Sequence, residues 1–72
     1  MRNRRRLGTP EEILNAALAK EHRALQFYSE LAEQCEIEMV RQLIEKLKDE
    51  ENKHVKMIEE MMAYLRLGHS SV

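Results

Sequence analysis

Apolar residues recur at steps of three and four along most of this chain, the spacing that lines one face of an α-helix. The first stripe runs through Leu14, Ala17, Leu18, Ala24, Leu25, Tyr28, Leu31, Ala32 and Cys35. Thr9-Pro10-Glu11-Glu12 marks its start. Thr9 is placed to cap the first turn, Pro10 suits the first helical position, and Glu12 completes a capping box while favouring the positive end of the helix dipole. The second stripe runs through Val40, Leu43, Ile44, Leu47, Ile58, Met61, Met62 and Leu65. Arg66 in a last turn followed by Gly68 predicts a helix stop there. The pattern divides the chain into an arm over 1–8, a helical region over 9–67 and a flexible tail over 68–72.

The boundary between the stripes is weakly marked, because no proline or glycine lies between Pro10 and Gly68. One continuous helix is therefore a competitor to a hairpin. The phase of the apolar steps breaks over Gln34–Glu38, which favours a turn near Glu36. Two amphipathic helices in a hairpin leave apolar stripes for a second hairpin to cover. The predicted fold is all-α: an antiparallel two-helix hairpin that dimerises into a four-helix bundle.

Three ionisable residues fall where the stripes call for apolar ones. Leu18 plus three and Leu25 minus four both give Glu21; Leu47 plus four gives Glu51, three further is His54, and four further is Ile58. An unpaired buried carboxylate costs several kcal/mol even after relaxation, so three such groups in a short chain call for a compensating partner, and a metal is the natural one. Glu51-Asn-Lys-His54 sets a carboxylate and an imidazole at i and i+3, on one helical face. This is the ligand arrangement of di-iron carboxylate bundles. With a turn at Glu36, Glu21 and Glu51 lie fifteen residues to either side and come level about 22 Å from it; a single helix would hold them about 45 Å apart. One hairpin offers two carboxylates and one imidazole. A two-fold homodimer doubles the set and lets four carboxylates balance two ferrous ions. Manganese and zinc suit the same ligands. Tyr28, two turns from Glu21 on the same face, and Glu50, beside Glu51, are candidates to support the ligands from behind; core packing for Tyr28 and a solvated position for Glu50 are the simpler readings. His22 points about 100° away from Glu21. Met57, Met61 and Met62 are read as apolar packing rather than haem ligands.

Composition narrows the partners. The sequence has 72 residues, enough for one small domain, and Cys35 is its only cysteine, so no internal disulfide can support it. Charged residues form 35% of it, yet the net charge is −1, which argues against a general nucleic-acid binder. Met1-Arg-Asn-Arg-Arg-Arg6 is a basic run, read as a disordered arm. No stretch approaches the roughly 20 apolar residues of a membrane span, and no apolar segment of a secretory signal follows the basic run. The expected location is the cytoplasm.

Two segments resemble a known family. Glu21-His-Arg-Ala24-Leu-Gln-Phe27-Tyr28-Ser-Glu-Leu31-Ala32 resembles the first-helix pattern of rubrerythrin-type ferritin-like proteins, and Leu47-Lys-Asp-Glu50-Glu51-Asn-Lys-His54 resembles their Glu-Glu-x-x-His helix. The likeness covers about residues 13 to 65. Ordinary members carry the motif twice, whereas here it stands once, as in the half-length encapsulated ferritins. Those build a di-iron site between two subunits, assemble into rings and feed oxidised iron to mineral storage inside an encapsulin shell. The resemblance implies a ferroxidase, with Glu21, Glu51 and His54 as iron ligands and catalytic residues, a homodimer or higher ring, and an encapsulin compartment. Rubrerythrins proper add an iron site held by four cysteines, which this sequence cannot form, so oxygen is preferred to peroxide as the oxidant. The alternatives are a peroxide-reducing di-iron protein and a non-catalytic helical dimerisation module stabilised by metal.

Overall fold

The computed structural model describes residues 8–71, with side chains through Arg66. It is a hairpin of two helices, α1 (Pro10–Gln34) and α2 (Glu38–Ser71), with no strand among the described residues. The predicted all-α hairpin is the observed fold. The arm read over residues 1–8 lies outside the described residues except for Gly8.

The start of α1 is built as its sequence predicts. Glu12 N–H donates to Thr9 Oγ1 at 3.1 Å, and the Glu12 carboxylate accepts from Thr9 N–H at 3.2 Å and from Gly8 N–H at 2.8 Å. Two of the donors that a helix start leaves open, on Thr9 and Glu12, are thereby satisfied, and the Gly8 N–H before them is held as well.

The reversal occupies Cys35–Ile37, centred on Glu36 where the phase break predicts it. Cys35 caps α1 in an extended conformation (φ −91°, ψ 124°), its N–H donating to Ala32 O. Arg41 Nη2 reaches back to the Cys35 carbonyl at 2.8 Å, while Ile37 O accepts the first N–H groups of α2, from Val40 at 3.0 Å and Arg41 at 2.9 Å. No described residue has a positive φ. The turn therefore needs neither glycine nor proline, which is why its residue types leave so weak a mark.

Burial sorts α2 into two stripes where the sequence reading drew one. Between Glu38 and Arg66 the residues turned toward α1 are Ile44, Lys48, Glu51, Val55, Ile58, Met62 and Leu65, and every other residue of that span is exposed. The steps are 4, 3, 4, 3, 4, 3, the repeat of helices packed side by side with a slight left-handed twist. Val40, Leu43, Leu47 and Met61, expected in one stripe with these, leave 37–55% of their surface open. They lie about a quarter turn around α2 from the inner stripe. Val55 and Lys48, absent from the predicted stripe, take inner positions instead; a lysine does so by laying its methylene stem on the apolar face, its ammonium 3.8 Å from Glu45.

The core of one hairpin is thin. Among the described residues only Ala32, Ile44 and Val55 are buried apolar side chains. The stop expected at Gly68 is not used: α2 continues through it to Ser71. A glycine inside a helix costs about 1 kcal/mol relative to alanine, and no left-handed glycine ends the helix here.

Candidate metal centre

The hairpin brings Glu21 of α1 level with Glu51 and His54 of α2. One ligand atom from each of the three lies within 4.8 Å of the others, the one such grouping of acidic, histidine or cysteine side chains among the described residues. His54 Nδ1 stands 3.5 Å from Glu21 Oε1 and 3.4 Å from Glu51 Oε1. The turn centred on Glu36 sets this register, and the i to i+3 spacing stacks Glu51 and His54 on one side of α2.

The three are not equally placed. The Glu21 and Glu51 side chains are 22% and 20% exposed, set into the helix–helix seam. His54 is 47% exposed. The sequence reading put all three on the core face; the inner stripe instead steps from Glu51 to Val55, which leaves His54 on the adjoining, open side of α2. The cluster therefore has its carboxylates beneath and its imidazole at the rim.

Its electrostatics are unbalanced. A proton shared with Glu51 holds the Glu21 carboxyl below its ordinary value, assisted by His54 and Lys20 and opposed by burial. The same interaction, together with burial and the charge of Glu21, pushes Glu51 up. Oε1 of Glu21 is buried without a hydrogen-bond partner, an arrangement that native structures seldom leave uncompensated. Two carboxylates crowded together, an orphaned oxygen turned into the gap and an imidazole nitrogen facing both form a donor set that fits a divalent cation. Glu21, Glu51 and His54 could hold it.

The surrounding candidates divide. Tyr28 is half-buried and packs its ring against Phe27, with centroids 5.6 Å apart. Glu50 points into solvent, 59% exposed, and pairs with Lys53 at 3.4 Å. His22 is exposed. Val55, buried on the inner stripe one residue after His54, was missed; counting alternate steps of four and three from Ile44 would have found it.

Two carboxylates and an imidazole converging across an all-α hairpin are the arrangement expected of the ferritin-like class. More specifically, residues 12–72 match the Rubrerythrin family, and the chain belongs to that family. Neither a curated protein nor a solved structure matches it significantly. Among the described residues no helix is long and apolar enough to cross a membrane.

Proposed function

We propose that the protein oxidises ferrous iron with oxygen at a centre completed by two copies of the chain. The convergence of Glu21, Glu51 and His54 within 4.8 Å carries this reading. One hairpin supplies three ligand groups, too few for two iron ions. Two copies supply four carboxylates and two imidazoles, whose four negative charges balance two Fe(II). Carboxylates are hard oxygen donors and favour ferric over ferrous iron once it forms.

The residues have separable tasks. Glu21 and Glu51 would hold the iron through their carboxylate oxygens, and any proton that Glu51, pushed up beside Glu21, still carries would leave to the solvent. His54 contributes Nδ1, the ring nitrogen already turned toward both carboxylates. Fe(II) is the substrate: two ions each lose one electron, and one O2 takes both with two protons, giving two Fe(III) and hydrogen peroxide. The ferric product is released for storage.

Mixing anaerobic protein with Fe(II), admitting air and following ferric absorbance tests the proposal. Oxidation faster than in buffer, lost in Glu51→Ala, is expected. An unaccelerated rate, or equal rates for the two proteins, would sink it. Faster oxidation by peroxide than by oxygen would favour the peroxide-reducing reading. The thin core supports a second reading, in which metal only holds the helices together; that reading predicts metal-dependent assembly with no turnover.

A further inference from the structure

Three methionines follow His54 on α2, and only one of them turns toward α1. Met62 lies on the inner stripe, whereas Met57 and Met61 are 63% and 49% exposed. Within the hairpin, the apolar packing expected of all three therefore accounts for Met62 alone. His54, itself 47% exposed, stands on the same side as the two open methionines. A step of three leads from His54 to Met57 and a step of four from Met57 to Met61, which makes successive side chains neighbours on one helical face.

The imidazole is turned to offer a ligand atom on that side. Its Nδ1 stands 3.5 Å from a Glu21 carboxylate oxygen and 3.4 Å from one of Glu51. Carboxylates accept hydrogen bonds, so in the metal-free hairpin the proton of the neutral ring belongs on Nδ1 and the lone pair on Nε2. The two ring nitrogens point apart, and Nε2 presents its lone pair away from the carboxylates. The donors gathered outside the seam are thus two thioether sulfurs and one imidazole nitrogen, none of them charged. Soft thioether ligands select Cu(I), whereas Fe(II) and Mn(II) favour the carboxylate oxygens on the other side of the ring.

We propose that His54, Met57 and Met61 form a second metal site, for Cu(I), and that its occupation keeps a divalent ion off His54. The three residues span about 10 Å of helix axis, with Met57 between the other two, and the unbranched, flexible methionine side chains can bend toward one ion. A neutral imidazole has one nitrogen lone pair. With Cu(I) on Nε2, the proton stays on Nδ1 and continues to face Glu21 and Glu51. A divalent ion on Nδ1 moves the proton to Nε2 and closes the outer site. His54 therefore chooses between a hard ion held with carboxylates and a soft ion held with thioethers. The site goes beyond the proposed function, shares only His54 with it, and does not depend on iron being oxidised.

Ag(I), a closed-shell monovalent ion like Cu(I) but inert to oxygen, is the probe. The Cys35→Ser protein in chloride-free buffer keeps the free thiol from capturing the ion. With the methionine methyl groups isotopically labelled, nuclear magnetic resonance should show the Met57 and Met61 signals shifting until one Ag(I) per chain is bound. Met39, 80% exposed and fifteen residues before His54, should not move. Met57→Leu, shown to be helical by circular dichroism, should lose this binding and keep its affinity for Mn(II), read by electron paramagnetic resonance. With both methionines present, one equivalent of Ag(I) should weaken Mn(II) binding, and excess Mn(II) should reverse the Met57 shift. Equal shifts at Met39 and Met57, unchanged Ag(I) binding in Met57→Leu, or Mn(II) binding indifferent to Ag(I) would each overturn the proposal. The expected shifts in a protein that does not oxidise iron would remove the ferroxidase and leave this site standing.

Discussion

At the scale of single residues, the candidate centre sets two carboxyl groups against each other. Glu21 is lowered and Glu51 raised from the ordinary glutamate value of 4.5, so the proton the two carboxyl groups compete for sits preferentially on Glu51. The lowered Glu21 contributes stability above 4.5 that is lost as pH falls through its folded pKa. The raised Glu51 contributes stability below 4.5 that is lost as pH rises through its folded pKa. The metal-free pair is therefore most favourable near pH 4.5 and loses the Glu51 contribution as pH rises through its raised pKa, where the second carboxylate becomes charged. Glu51→Gln keeps the shape and a donor for Glu21 while removing one charge. In chelator, urea unfolding from pH 4.5 to 7.5 should show wild-type stability falling relative to Glu51→Gln as pH rises. Added Mn(II) should reverse the ranking at pH 7.5, because only the wild type keeps both carboxylates. A constant difference across pH would mean that the two glutamates do not share a proton.

At the scale of the elements, legibility followed local chemistry. The start of α1 was readable because its signal is carried by adjacent residues: Thr9, Pro10 and Glu12 satisfy the helix end among themselves. Thr9→Ala should remove one of those bonds at a cost of about 1 kcal/mol, measured as a lower midpoint in urea; no change would mean that the end frays regardless. The turn was placed only through loss of phase, since its bonds come from Arg41 and from backbone groups rather than from turn-forming residues. The convergence of Glu21 and Glu51 was readable because charges at seam positions conflict with burial. The sequence could not divide the apolar residues of α2 between two neighbours: Leu43 and Ile44 are adjacent, both fit steps of three and four, and only the position of α1 decides that Ile44 is 8% exposed and Leu43 55%. The same ambiguity placed His54 in the seam, because a trace from Leu47 reaches it and a trace from Ile44 passes it by.

At the scale of the whole molecule, that division becomes a measurable separation of folding from association. A hairpin with three buried apolar side chains among its described residues is marginal alone, and anything that binds its folded form adds stability by mass action. The two sides of α2 should respond differently to truncation. Ile44→Ala empties a buried position between the helices and should cost about 2–5 kcal/mol whatever the protein concentration. Leu43→Ala truncates a side chain that the hairpin leaves 55% exposed, on the side of α2 left open for the second copy of the proposed function. In dilute, chelated protein it should change the unfolding midpoint little. In concentrated protein with Mn(II) it should lower the midpoint clearly and raise the dissociation constant of the dimer in sedimentation equilibrium. The contrast depends on geometry rather than on side-chain size, since leucine and isoleucine lose equal numbers of carbons. Equal, concentration-independent losses at both positions would mean that Leu43 stabilises the hairpin itself and that its side of α2 has no partner. A loss confined to Leu43→Ala in the presence of metal would tie assembly to the candidate centre, because Leu43 and His54 both lie on the open side of α2.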